Sequence, residues 1–196
     1  MMNNKRKHHR LTDWDYSLDG TYFITICCNE RHPYLGTITK NTMVLSEIGS
    51  ISSQYWLEIP DHFPYVRLDD FVIMPNHIHG ILVLDNSLVG PRHGVALQQP
   101  ISDIVGSCHG MTLPIRKGSN QNINQFSKPV KNSVSVIINQ FKSSVKRWCD
   151  KNGFEYFHWQ SRFYDQILTM GKSIDNIREY IWNNPKNWNE DDLYNL

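Results

Sequence analysis

Two apolar runs separated by a dipeptide constrain this chain more than any other feature. YVRLDDFVIM, residues 65–74, and HIHGILVL, residues 77–84, have only Pro75 and Asn76 between them. Both runs are rich in β-branched and aromatic residues, which favour the half-buried pleated surface of a sheet. Strands so close in sequence pair as an antiparallel hairpin. A third run, TYFITICC at 21–28, reads as another strand, and a short extended ribbon is expected from about Gly36 to Val44.

Helical periodicity fills the intervals. Ile48, Ile51, Tyr55 and Trp56 recur at helical spacing between Ser46 and Leu57, and Pro60 ends that helix. Val134, Ile137, Ile138, Phe141, Val145 and Trp148 form one apolar stripe, and Gly153 stops the helix. FEYFHWQSRFYDQILT, residues 154–169, reads as one or two extended segments. A last helix runs from about Ser173 to Asn183, with Ser173 as N-cap, Asp175 in the first turn and Pro185 as terminator. The order strand, helix, paired strands, helix, strand, helix predicts an α+β fold. Specifically, it predicts a ferredoxin-like antiparallel sheet with helices packed on one face. Between about Asp85 and Asn132 the chain is rich in Gly, Ser, Asn, Gln and Pro. A connection this long is uncommon inside a compact domain. The expectation is therefore one domain over residues 1–196 with a mobile insertion at about 85–132, within which ISDIVGSCHGM forms a short helix.

Composition narrows the class. Forty per cent of residues are hydrophobic, enough for a packed core. No apolar run reaches the roughly 18 residues that span a bilayer. MMNNKRKHHR is basic but lacks a following apolar segment, so no secretory leader and a cytoplasmic location are expected. Cys27, Cys28, Cys108 and Cys149 form no C-x-x-C pair, which excludes a zinc ribbon and a disulfide framework and leaves reduced thiols. The formal net charge of +1 argues against indiscriminate coating of DNA. Local basic clusters remain: Lys5, Arg6, Lys7 and Arg10 at the start, and Lys142, Lys146 and Arg147 on one helix. Each reads equally as a solvated face.

His77-Ile78-His79 opens a strand. Positions i and i+2 of a strand share a face, about 6.5 Å apart, so two imidazoles can converge on one metal ion while Ile78 packs behind them. Such a pair also occurs as two hydrogen-bonded histidines, and a metal site needs further ligands. On the last helix, Tyr180 and Asn184 lie within about 40° of each other, one turn apart, beside the Ile174, Ile177, Ile181 stripe. Taken alone, the tyrosine reads as amphipathic core and the asparagine as a helix cap.

The motifs read together resemble a known family. FVIMPN followed by HIH, then WQ-x-RFYDQI, then REYIWNNP, with DYSLDGTYFITICCNERHPYLG near the start, resembles the REP-associated tyrosine transposases of the single-tyrosine HUH superfamily. The likeness covers about residues 10–84 and 133–188. It implies the HUH endonuclease type of fold. It also implies that His77 and His79 bind a metal, that Asn184 supplies a third ligand, and that Tyr180 is the nucleophile. The implied cofactor is Mg²⁺ or Mn²⁺. The implied substrate is single-stranded DNA beside a hairpin or palindrome, cleaved and rejoined through a 5′-phosphotyrosine. Trp159, Gln160 and Arg162 match the WQ-x-R segment, structural or DNA-contacting. Lys142, Lys146 and Arg147 are expected to track phosphates, and Tyr156, Phe157 or Trp159 to stack on bases. The departure from compact relatives is the long 85–132 segment. No membrane partner is expected, and monomer and homodimer both fit. Alternatives are a domesticated member that binds structured nucleic acid without cutting it, a metallohydrolase with a water nucleophile, and a plain binding module.

Overall fold

The computed structural model describes residues 16–88, 130, 132–168, 172–191 and 193–194. The basic cluster at Lys5–Arg10, Cys108, the expected short helix and most of the expected insertion lie outside these residues. Strands are β1 (Gly20–Cys27), β2 (Gly36–Thr39), β3 (Thr42–Leu45), β4 (Val66–Ile73), β5 (His77–Leu84) and β6 (Tyr164–Leu168). Helices are α1 (Glu47–Leu57), α2 (Ile59–His62), α3 (Val134–Lys151) and α4 (Lys172–Asn183).

Among the described residues, β4, β5, β1 and β6 form one sheet in that order, with every neighbouring pair antiparallel. The β4–β5 hairpin forms across Pro75 and Asn76, where the Met74 N–H donates to the His77 carbonyl at 2.8 Å. β2 and β3 make a separate two-stranded ribbon. Lys40 and Asn41, at φ 51° and 61°, close it in the doubly left-handed turn that matches strand twist.

Register assigns every side chain to a face. Cα partners Cys27↔His77, Thr25↔His79 and Phe23↔Ile81 place these six residues on one side, and Tyr22↔Leu82, Ile24↔Gly80 and Ile26↔Ile78 place theirs on the other. The second side carries the main core. There Tyr22, Ile24, Ile26, Ile78 and Leu82 pack with Trp56 of α1 and with Ile137, Ile138, Phe141 and Val145 of α3. Gly80 is required at the centre of this face, because a Cβ there would lie 2.3 Å from the Trp56 ring. The Ser46 Oγ accepts the Gly49 N–H at 3.0 Å and caps α1, and α3 ends at Lys151, two residues before Gly153, which takes φ +84°.

The first side is covered by α4. Ile174, Ile177 and Ile181 meet Phe23, Val72, Ile81 and Leu168. The expected helix-covered antiparallel sheet is thus present, with α1 and α3 on one face and α4 on the other. The difference has a physical basis: β5 is buried on both pleat faces and needs cover on each. Cys27, Cys28 and Cys149 are buried free thiols. No helix among the described residues is long and apolar enough to cross a membrane.

Candidate active site

The site lies on the α4 face of the sheet. Helix α4 docks through its isoleucine stripe and through one charged side chain. Its Arg178 forks onto Asp69 of β4, with Nε–Oδ1 3.1 Å and Nη2–Oδ2 2.6 Å, and approaches Asp70 at 3.9 Å. The two acids sit where the β4–β5 register slips between Leu68 and Phe71. An irregularity of this kind re-aims side chains out of strict alternation. The Arg178 hydrogen bonds hold the Asp69 carboxyl below its ordinary range.

This docking brings Tyr180 to the histidines. Its Oη lies 3.2 Å from His79 Nε2, and its ring meets the edge of Phe23 with centroids 6.2 Å apart. Tyr180 keeps 43% of its surface exposed, so a substrate can reach the phenol. Phe23 in turn stacks on His79 at 5.1 Å.

His77 and His79 are 0% and 3% exposed, and their ring centroids are 4.4 Å apart. Burial first, then the charge of Arg31, pushes His77 down to about 3; burial first, then His77, pushes His79 down to about 3 against the opposing pull of Asp191. Both imidazoles are therefore neutral at pH 7. Hydrogen bonding orients them. Asn76 donates its Nδ2–H to the Leu193 carbonyl at 2.8 Å, which turns its Oδ1 toward His77 Nδ1, also at 2.8 Å. Because an amide oxygen only accepts, Nδ1 carries the proton and the lone pair is on Nε2. That buried Nε2 has no hydrogen-bond partner among the described residues. His79 Nδ1 lies 2.8 Å from the Thr25 hydroxyl. With the proton on Nδ1, its Nε2 accepts the Tyr180 hydroxyl.

A carboxylate joins the two histidines. The chain after α4 folds back over His77, with the Trp188 ring 5.9 Å from it. This return brings in Asp191, whose carboxylate and one nitrogen of each histidine lie within 4.8 Å of one another. The Leu193 N–H donates to Asp191 Oδ1 at 2.6 Å. Asn184 is 3% exposed, and its Oδ1 has no hydrogen-bond partner among the described residues. It stands one helical turn, about 6 Å, beyond Tyr180. Two neutral imidazoles and the Asp191 carboxylate form a mixed N/O donor set, and Asn184 holds an unpartnered amide oxygen on the chain between Tyr180 and Asp191. Such a set fits a divalent cation of the Mg²⁺ or Mn²⁺ kind, and imidazoles fixed through their other nitrogen are in ligand posture. Burying such groups without partners is costly, a penalty that a bound cation would offset.

Asp191 did not emerge from the sequence as a ligand. It lies in an acidic run with Glu190 and Asp192, and nothing in its spacing ties it to His77; the return of the chain does.

Other anticipated contacts fall elsewhere. Lys142 is 9% exposed, and its ammonium donates to the Gln160 and Arg162 carbonyls. This corrects the expectation that it tracks phosphates: the ammonium ties α3 to the WQ-x-R segment. Lys146 pairs with Asp150 and donates to the Glu155 carbonyl at 2.9 Å. Arg147 is exposed on the rim of a groove between α1, α2 and α3, on the face away from Tyr180. Phe157 is fully buried, and the partly buried Trp159 wedges against Phe157 and Phe141 at 4.8 and 6.0 Å. These two rings are therefore core packing instead of the open stacking surface expected of them, whereas Tyr156 and Arg162 are exposed.

No family model matches the chain. Among solved structures, a REP-associated tyrosine transposase bound to a REP hairpin is similar at TM-score 0.52 and 16% identity, over 91% of this chain and 74% of that one. At that identity the likeness shows the fold. In sequence, an uncharacterized protein of Haemophilus influenzae is 36% identical over 189 residues, 96% of this chain and 93% of that protein. The chain belongs to the family of that Haemophilus influenzae protein, and its α+β fold is one shared with a tyrosine transposase.

Proposed function

We propose that this protein is a metal-dependent single-tyrosine DNA strand transferase of the REP-associated tyrosine transposase type. One observation carries the reading: an accessible tyrosine hydroxyl 3.2 Å from one of two buried, neutral histidines that share a donor cluster with a carboxylate. A phenol ordinarily titrates near 10 and needs help to act as a nucleophile at neutral pH. Here Phe23 and His79 flank the ring, the isoleucine stripe and Arg178 fix the helix, and His79 Nε2 holds the hydroxyl beside the position of an ion, whose binding would take that lone pair and leave the phenol free to lose its proton.

In the reaction, the Tyr180 oxygen forms a bond to the phosphorus of a DNA phosphodiester. The bond from phosphorus to the 3′ oxygen breaks, and the phenolic proton is matched by the one gained at the released 3′-OH. The new phosphotyrosine on the 5′ side retains a phosphodiester, so the strand can be rejoined to another 3′-OH without ATP. A divalent ion held by His77 and His79, with Asn184 or Asp191, would stabilise charge on the phosphate oxygens. The substrate in this reading is single-stranded DNA next to a hairpin. Arg147 and Arg162 are the exposed cations proposed to meet phosphates, while Lys142 and Trp159 support the segment that carries Arg162.

The test is incubation with labelled single-stranded hairpin DNA and Mg²⁺ or Mn²⁺, followed by denaturing electrophoresis. The native chain should yield a denaturant-resistant protein–DNA adduct, and Tyr180→Phe should not while still binding DNA and Mn²⁺. An adduct in Tyr180→Phe would sink the assignment. Cleavage without an adduct would instead indicate a water nucleophile, and binding without cleavage a non-cutting relative.

A further inference from the structure

The turn that follows β1 is strained. Glu30 and Arg31 take φ 52° and 56°, the left-handed region, where a residue with a Cβ sits at a free-energy cost. Lys40 and Asn41 share that region, but they close a hairpin whose twist requires it. Among the described residues no hairpin lies at Glu30 and Arg31, because β1 pairs with β5 and β6 and the next strand, β2, pairs with β3. Strain of this kind persists only where neighbours hold it, and it collects at functional sites. Here the Cys28 N–H donates to the Asn76 carbonyl and the Asn29 N–H to the His158 carbonyl, both at 2.8 Å. The Leu35 N–H donates to the Pro75 carbonyl at 2.9 Å. The turn is thereby pinned to the Pro75-Asn76 dipeptide that leads into His77.

Chain direction decides which end of the histidine pair this turn reaches. Thr25 lies opposite His79 and Cys27 opposite His77, so β1 runs past His79, then past His77, and then into the turn. Tyr180 stands at the other end, with its Oη 3.2 Å from His79 Nε2. The electrostatics agree. The positive charge of Arg31 acts on His77 and on Cys27, whereas the charged groups that act on His79 are His77 and Asp191. The order along the site is thus Tyr180, His79, His77, Arg31. The neighbouring acid, Glu30, lies 3.4 Å from the His32 imidazole. Arg31 itself is half-buried. Its guanidinium is charged at every working pH and has the fork geometry that matches phosphate oxygens.

We propose that Arg31 is a catalytic residue: its guanidinium binds the phosphate attacked by Tyr180 from the side away from the phenol and stabilises the charge that collects on the departing 3′ oxygen. The proposal rests on the tyrosine chemistry above for which phosphate reacts, and on the pinned turn for where the cation stands. An in-line displacement puts nucleophile and leaving group on opposite sides of phosphorus. The Tyr180 oxygen bonds to phosphorus, the bond to the 3′ oxygen breaks, and its electron pair stays on that oxygen. Water protonates the oxygen and regains the proton given up by the phenol. The guanidinium stays protonated throughout and only donates hydrogen bonds. Donors fixed in advance and aimed at developing charge need no reorganisation at the moment of reaction. A turn held in a strained conformation supplies such a fixed donor.

Two measurements test this. In the first, Tyr180→Phe protein binds single-stranded hairpin DNAs in which one phosphate at a time is replaced by a neutral methylphosphonate. Replacement at the phosphate that the native chain cuts should weaken binding roughly tenfold, the scale of one charge-assisted hydrogen bond. Tyr180→Phe/Arg31→Gln should show no loss at that phosphate and unaltered losses elsewhere. In the second, adduct formation is timed at saturating DNA. Arg31→Gln should be roughly a hundredfold slower than the native chain, the effect of removing one oxyanion donor, and Arg31→Lys should recover part of the rate. With sulfur in place of the bridging 3′ oxygen, the departing thiolate needs little stabilisation, and Arg31→Gln should nearly match the native chain. Arg31→Gly suits φ +56°, so in urea titrations it should be at least as stable as the native chain, yet react as slowly as Arg31→Gln. Equal slowing on the oxygen and sulfur DNAs, or a methylphosphonate loss that survives Arg31→Gln, overturns the assignment. An Arg31-dependent loss at one phosphate, with no adduct from the native chain on either DNA, would count against the strand-transfer reading and leave the phosphate contact standing.

Discussion

On one face of the sheet, Tyr22, Ile24, Ile26, Ile78 and Leu82 meet α1 and α3. On the other, Phe23, Thr25, His77 and His79 meet α4 and the returning C-terminal chain. The same strands supply both, since alternate residues of a strand point to opposite sides. The first face is closed by aliphatic and aromatic packing so tight that Gly80 cannot carry a Cβ. The second keeps lone-pair atoms buried without hydrogen-bond partners among the described residues, at His77 Nε2 and Asn184 Oδ1, whereas the first buries the indole N–H groups of Trp56 and Trp159, which offer a cation no lone pair. Unpaired buried polar groups cost free energy. The apolar face therefore provides the stability that lets the polar face stay poised for a ligand, a division typical of functional sites.

Variants should separate the two faces. The largest effect belongs to Trp56→Ala on the apolar face. Loss of this fully buried ring should cost about 3–5 kcal/mol of unfolding free energy in urea titrations, as large-to-small aromatic substitutions do. Molecules that remain folded should bind Mn²⁺ normally. A variant that stays stable but loses Mn²⁺ affinity would show that the faces are not separable.

Acid should act on the polar face. The folded-state affinities of His77 and His79 for protons are pushed down to about 3 from an ordinary 6.5. The unfolded chain therefore binds protons first, and stability present above pH 6.5 is lost as pH falls toward 3. At pH 5 the loss is about 2 kcal/mol per histidine, set by the unfolded value alone. Chemical denaturation of metal-free protein from pH 8 to pH 4 checks this. His77→Ala/His79→Ala should flatten the slope, and an unchanged slope would assign the acid sensitivity elsewhere.

Asn184→Leu sharpens the comparison in the opposite direction. Replacing an amide whose oxygen is buried and unpartnered should raise metal-free stability by about 1 kcal/mol. It should also weaken Mn²⁺ binding in isothermal calorimetry if the amide is a ligand. Should Asn184→Leu leave that affinity intact while Asp191→Asn reduces it, the oxygen donor is Asp191. The smallest effect on folding is expected for Arg178→Gln, because the guanidinium is partly exposed and its ion pairs are screened by salt. The rate of adduct formation should fall while Mn²⁺ affinity holds, since the fork onto Asp69 sets where α4 presents Tyr180. Equal losses of both would make Arg178 a general fold contact.

Much of this was legible in the sequence, for reasons that differ by region. The hairpin from residue 65 to residue 84 and the stripe of α3 follow from periodicity, which local chemistry imposes. The side-by-side placement of His77 and His79 follows from strand geometry. The second covered face did not follow: α4 carries an ordinary amphipathic pattern, and only the burial of β5 on both sides says where it docks. Lys142 misled because helical spacing places it one turn from Lys146 but says nothing of the carbonyls at Gln160 and Arg162 waiting beneath it. Asp191 was invisible because its link to His77 depends on a chain reversal after Asn184, held by Asn76 and the Leu193 carbonyl.

The central claim is that the oxygen of Tyr180, presented by α4 to His79, takes the DNA strand. The most direct measurement is residue-level mapping of the adduct. The native chain is incubated with single-stranded hairpin DNA and Mn²⁺, digested with protease and nuclease, and sequenced by mass spectrometry. A nucleotide joined through phosphate to Tyr180 is expected in the peptide containing Glu179-Tyr180-Ile181. Attachment at Tyr164, Tyr194 or any other residue, or cleaved DNA with no modified peptide, would contradict it.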